Sequence, residues 1–279
     1  MRIAVIGTGV IGTSWATLFL EHGHDVVAWD PAPTDLPGVT VAADPAAAVA
    51  GADFVQENGP ERLELKHELL AVLDAAARPE VVIASSSSML RPTDLARGAP
   101  AHPERVLVGH PFNPPHLVPL VEVVPGEATS EAAVEAAMSF YTSVGRTPLR
   151  LRAELPGHLA NRLQAALWRE AYSLVERGVA TVADVDTAIT EGPGLRWAAV
   201  GPITGQHLSG GDGGLAHVLE HLHPGTEALW SDLGTPTMTP DLADRLITQV
   251  REAAPNPDAL LARRDAVIRA ALDARKAAG

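Results

Sequence analysis

A doubly wound α/β fold, with a mostly parallel sheet over residues 1–152 and an all-helical domain over 153–279, is the architecture this sequence predicts. Three observations predict it. Short apolar runs alternate with segments of helical periodicity as far as Leu151. The first run leads directly into Gly7-Thr8-Gly9-Val10-Ile11-Gly12, and beyond Pro156-Gly157 the strand patterns stop and only helical periodicity continues.

Residues 2 to 7 read as a buried parallel strand, and the glycine turn opens a helix marked by Trp15, Leu18 and Phe19. Asp25 to Asp30 is a second strand ending in an acid. A G-x-G-x-x-G run between a strand and a helix, with an acid closing the next strand, is the context of a Rossmann dinucleotide site. Gly7, Gly9 and Gly12 permit the tight turn, and the N–H groups around Val10 and Ile11 open toward a pyrophosphate. Asp30 accepts from the ribose hydroxyls and repels a 2′-phosphate, so NAD is favoured over NADP.

Pro31, Pro33, Pro37, Gly38 and Pro45 leave room only for a short strand near Val39 to Ala42 and a short helix near Ala46 to Val49. Asp53 to Glu57 is the next strand. Leu63, Leu65, Leu69, Leu70 and Leu73 mark a helix, and Val81 to Ala84 is a strand running into Ser85-Ser86-Ser87-Ser88. Hydroxyls at the C-terminal end of a strand in such a sheet lie where these folds bind ligands, although a serine run is also an ordinary loop. A strand at Val106 to Val108 ends at Gly109, another covers Leu120 to Val124, a helix covers Glu131 to Ser143, and Thr147 to Leu151 is a last short strand. Helices are expected over 158–177, 182–191, 203–223, 240–253 and 258–277.

Composition narrows the function classes. The 279-residue chain is 46% hydrophobic and carries a formal charge of −13, with its basic residues scattered singly, which argues against nucleic acid or an anionic membrane as partner. With no cysteine, disulfides, thiolate catalysis and Cys-ligated metal are excluded. No His or acidic spacing suggests a metal site. Glycines break the N-terminal apolar run at once, so it reads as neither signal peptide nor membrane span, and a cytoplasmic location is the expectation.

Gly109-His110-Pro111-Phe112-Asn113-Pro114 puts a histidine at a strand end, and Glu122 sits among apolar neighbours in the strand that follows. A charge so placed needs a partner. A carboxylate bonded to imidazole fixes its tautomer and stabilises the imidazolium, which makes a general base; a surface histidine beside an edge-strand glutamate is the plainer alternative.

With these residues in place the chain resembles the 3-hydroxyacyl-CoA dehydrogenase superfamily over almost its whole length. The likeness is carried by Gly7 to Gly12, Glu57 to Lys66, the serine run, His110 to Pro114, and Asn161-Arg162-Leu163. Gly192 to Trp197 and His207 to Gly214 point to the branch acting on small free acids, carnitine-like or gulonate-like. The resemblance implies an NAD-dependent dehydrogenase in which His110 takes the proton of a 3-hydroxyl and Glu122 orients it. It further implies that Ser88, or Ser87, and Asn161 hydrogen-bond the reacting oxygen, that Ser85, Glu61, Lys66 and Asn113 line the cofactor, and that the helical domain forms a homodimer. Family members carry a long helical hairpin after the second strand, which this chain lacks. That departure, with Arg196 as a carboxylate fork and Trp197 as an aromatic face for a cation, favours a small free hydroxy or keto acid. Arg196 as an ion-pair partner and Trp197 as core are the plainer readings. A short-chain 3-hydroxyacyl-CoA dehydrogenase and an NAD-binding structural or sensor protein are the alternatives.

Overall fold

The computed structural model describes residues 1–32 and 36–278. Pro33, counted above among the breakers, and Gly279 lie outside them. The chain divides into two compact units, Met1–Arg162 and Leu163–Gly279.

The first unit is built on an eight-stranded sheet of order β3-β2-β1-β4-β5-β6-β7-β8. Its strands are β1 (Arg2–Ile6), β2 (Asp25–Trp29), β3 (Thr40–Val41), β4 (Phe54–Glu57), β5 (Ile83–Ser85), β6 (Val106–Pro111), β7 (Leu120–Pro125) and β8 (Thr147–Arg150). β3 through β6 run parallel, β7 pairs antiparallel with β6, and β8 is parallel to β7. Both faces are covered, so the strands read as continuous apolar runs rather than alternating ones.

Alternate residues of each strand feed opposite layers. Ile3 and Val5 face helix α1 (Val10–Glu21) and helix α5 (Glu131–Ser143), in a cluster with Trp15, Phe19, Phe140 and Tyr141. Ala4 and Ile6 face the other layer, where Val49, Leu70, Leu73 and Leu95 come from α2 (Pro45–Val49), α3 (Leu63–Ala76) and α4 (Pro92–Ala96). The sequence pattern did not mark α4, a single proline-started turn too short for a periodicity.

Two polar arrangements are built into these layers. Glu57 and Lys66 are both buried, with Lys66 Nζ 2.8 Å from each Glu57 carboxylate oxygen and 3.0 Å from the Gly59 carbonyl. Removing one partner of a buried pair leaves the other charge unpaired, at a cost of about 3–5 kcal/mol. The buried Tyr141 hydroxyl donates to Gln56 Oε1 at 2.7 Å, and burial raises its pKa. A Cβ on Gly109 would strike that hydroxyl, so glycine in β6 is required by the tyrosine behind it.

The second unit consists of helices. α6 (Ala160–Glu176) runs into it from the first unit, followed by α7 (Val182–Thr190), α8 (Pro193–Ala199), α9 (Pro202–Ser209), α10 (Gly214–His221), α11 (His223–Asp232), α12 (Pro240–Ala253) and α13 (Pro257–Ala277). The single helix expected over 203–223 is broken into α9 and α10. Gly211 and Gly214 both take φ of +56°, which a helix interior does not allow, and a short 3-10 turn fills the gap. Among the described residues, no helix is long and apolar enough to cross a membrane.

Candidate active site

The glycine turn, the histidine pair and the loop after β5 all belong to the first unit. The glycine turn comes first. Gly7 takes φ +92°, and a Cβ there would lie 2.9 Å from the Asn58 backbone. A Cβ on Gly12 would run into the Gly7 carbonyl oxygen, whereas one on Gly9 would meet nothing within 4 Å. Gly9 is the N-cap of α1 and has no side chain to bond the first-turn N–H groups, which stay available to an anion. These donors open beside a cavity of about 620 Å³ lined by Gly7, Gly9, Asp30, Pro60, Leu65 and Leu69. Asp30 is held by the Thr8 N–H at 2.7 Å and the Ala32 N–H at 2.8 Å, and its carboxylate retains lone pairs for ribose hydroxyls. A bare helix N-terminus, an acid at the end of β2 and apolar walls together fit NAD.

The second component is the histidine. The strand does not end at Gly109 as expected; β6 continues to Pro111, which brings His110 into the sheet directly opposite Glu122 of β7. Antiparallel register therefore makes the pair, with His110 Nδ1 2.9 Å from Glu122 Oε2. A carboxylate only accepts, so Nδ1 carries the proton and Nε2 is the nitrogen left for chemistry.

Glu122 is 0% exposed. Its Oε1 accepts the N–H groups of Leu159 and Ala160, both at 2.9 Å, where the chain enters α6. Burial, the largest influence, pushes the carboxyl up in pKa, but the His110 hydrogen bond and the two N–H groups outweigh it and hold the group below its usual value. It therefore contributes stability that is present above the unfolded carboxyl value and lost as pH falls through the lowered one.

The third component is the loop after β5. Glu61 Oε1 accepts from the Ser87 hydroxyl at 2.6 Å and from the N–H groups of Ser88 at 3.0 Å and Met89 at 2.8 Å. Asn161 Nδ2 donates to the Ser88 carbonyl at 3.3 Å. Glu61, expected to line the cofactor, thus gathers the serine loop. Lys66 and Ser85 were expected there too, but Lys66 is spent on Glu57 and Gly59, and the buried Ser85 hydroxyl donates to Glu57 Oε2 at 2.5 Å. Asn113 is exposed in the loop after β6.

Two site features escaped the sequence reading. Asn58 lines the cavity and accepts from the Ser86 hydroxyl at 2.7 Å. His158, fully buried, lies with its ring centroid 5.3 Å from that of His110. The expected helix start at 158 absorbed it, although a histidine directly after Pro156-Gly157 was a visible signal. Arg196 and Trp197 lie exposed on α8 of the second unit.

The model of the 3-hydroxyacyl-CoA dehydrogenase NAD-binding domain matches residues 2–39 and again 34–154, and that of the C-terminal domain matches 157–246. The first match breaks in two between β2 and β3, where the sequence lacks a hairpin. The L-carnitine dehydrogenase of Streptomyces coelicolor is 47% identical, over 91% of this chain and 87% of that protein. That of Streptomyces griseus is 46% identical over 305 aligned positions, 100% of this chain and 90% of that protein, so it carries residues this 279-residue chain lacks. Among solved structures, 5-formyl-3-hydroxy-2-methylpyridine 4-carboxylic acid 5-dehydrogenase, an NAD+-dependent dismutase, superposes with a TM-score of 0.83 at 28% identity, covering 99% of this chain and 98% of that one. The 3-hydroxybutyryl-CoA dehydrogenase of Escherichia coli does so with a TM-score of 0.62 at 28% identity, covering 84% and 57%.

Proposed function

Since the chain belongs to the 3-hydroxyacyl-CoA dehydrogenase family and is an NAD-dependent dehydrogenase, we propose that it oxidises the 3-hydroxyl of a small free hydroxy acid, with L-carnitine as the leading substrate. The observation that carries the chemistry is the His110–Glu122 pair at 2.9 Å on adjacent strands. NAD, when bound, supplies the hydride acceptor. His110 Nε2 takes the hydroxyl proton as general base, while Glu122 holds Nδ1–H and stabilises the imidazolium that results. The Ser88 hydroxyl and the Asn161 amide hydrogen-bond the reacting oxygen, where negative charge develops. Gly7 to Gly12, directly after β1, and Asp30, directly after β2, hold the cofactor.

The small-acid reading is supported by the short interval between β2 and β3 and by the relatives' activity. Arg196 has the fork geometry to bind a carboxylate, and Trp197 an aromatic face to attract a quaternary ammonium. The test is spectrophotometric NAD reduction with L-carnitine, L-gulonate, 3-hydroxybutyrate and 3-hydroxybutyryl-CoA. Turnover with L-carnitine and none with the thioester is expected; turnover confined to the thioester would overturn the free-acid reading. NAD binding with no turnover on any of the four would leave a binding protein instead.

The second unit exposes Leu163, Leu195 and Ile203, each above 60%, and Trp168 at 48%. These exposed apolar side chains support a homodimer formed through the helices, which, working in the cytoplasm, is part of the same proposal. Sedimentation at micromolar concentration should return twice the chain mass; a monomer would count against it.

A further inference from the structure

Resting on the dehydrogenase reading above, we propose that His158 is a positioning residue of this site, whose Nε2–H holds the Ser87 carbonyl and thereby fixes the serine loop against His110. The Nε2 atom lies 3.0 Å from that carbonyl, which only accepts, so Nε2 carries the proton. The remaining nitrogen, Nδ1, is buried and has no hydrogen-bond partner among the described residues. The ring is thus in use at one edge only, and that edge reaches the loop bearing the hydroxyl assigned to the reacting oxygen.

The backbone bears a cost for this arrangement. His158 has φ of +52° and is the one non-glycine among the described residues with positive φ. The left-handed region is unfavourable for a side-chain-bearing residue, and such strain persists where its surroundings over-determine it. Here three successive ties do so. His158 holds the Ser87 carbonyl, Leu159 and Ala160 hold Glu122, and Asn161 holds the Ser88 carbonyl. Glu61 takes N–H groups of the same loop, so its donors and its carbonyls are held by different segments of the chain.

The charge state agrees with this role. Burial, chiefly, lowers the pKa of His158; the Ser87 carbonyl opposes that, and the neighbouring His110 lowers it further. A neutral ring keeps its single donor on the Ser87 carbonyl while His110, close by, gains and loses a proton.

The experiment separates the hydrogen bond from the backbone conformation. His158→Gln places an amide N–H near the position of Nε2. His158→Asn accepts positive φ more readily but is too short to place its donor there, and His158→Phe fills the volume with no donor. Expected is a fall in kcat of about 10- to 100-fold for Asn and Phe, as for a misplaced reacting group. KM for the acid and the NAD Kd should change little, and His158→Gln should recover most of the loss. Faster hydrogen exchange at the Ser88 to Leu90 amides should accompany the Asn and Phe changes but not Gln, a readout that stands whatever substrate the enzyme takes. Wild-type kcat in Asn and Phe, or unchanged exchange at that loop, would overturn the proposal. So would equal losses in all three variants tracking their Tm. Failure of the wild-type protein on every substrate would count instead against the dehydrogenase reading, and the exchange result would still decide the role of His158.

Discussion

Replacing Glu122 by Gln is expected to lower kcat by about 10³- to 10⁴-fold, on the scale of losing the acid from a histidine-orienting pair. NAD affinity should be nearly unchanged. The size of the effect follows from where the two carboxylate oxygens point. Oε1 accepts two backbone N–H groups, so a glutamine must put its carbonyl there and its NH2 toward His110. His110 Nδ1 must then accept, which moves the ring proton to Nε2 and blocks the atom proposed to take the substrate proton. Steady-state kinetics together with a fluorescence titration of NAD would check this. Turnover within about three-fold of wild type would remove the pair from the mechanism.

Gly12→Ala and Gly9→Ala are expected to abolish and to weaken NAD binding respectively, for different reasons. A methyl at residue 12 occupies the place of the Gly7 carbonyl, so the turn itself must open; binding should fall below detection and Tm should fall with it. A methyl at residue 9 meets no protein atom within 4 Å, and the φ of −64° there suits alanine, so the fold should be unaffected. It projects beside the free N–H groups of α1, and a rise in NAD Kd of about 10- to 100-fold is expected from keeping a pyrophosphate from close approach. Calorimetric titration and thermal melts measure both. A Gly9→Ala variant that binds NAD like wild type would place the pyrophosphate elsewhere.

The features legible in the sequence are those whose signal is local. The glycine turn, the acid closing β2 and the apolar strands can each be read within a dozen residues, and so can the prospect that His110 and Glu122 meet, because one connection separates them. Gly109 resembles a strand terminator in the sequence, so β6 reads shorter there than it is. Its reason is Tyr141, which contacts it from another element. Lys66 could not be told from a cofactor ligand by spacing alone, since its ammonium turns inward to Glu57. Glu61 likewise acts on a loop more than twenty residues away in sequence, with a separation of 26 to Ser87. The break between α9 and α10 is signalled by Gly210 to Gly214 but masked by a periodicity that runs on through them.

Gly109 and Tyr141 bear on how this sequence can vary. A side chain at position 109 and the hydroxyl at position 141 compete for one volume, so the two sites are not free to drift independently. A homologue with a larger residue before its histidine must have given up the tyrosine hydroxyl, and with it the hydrogen bond to Gln56. Paired substitution at these two positions should therefore be a covariation signature in an alignment of relatives, one set by exclusion rather than attraction and falling one residue from His110.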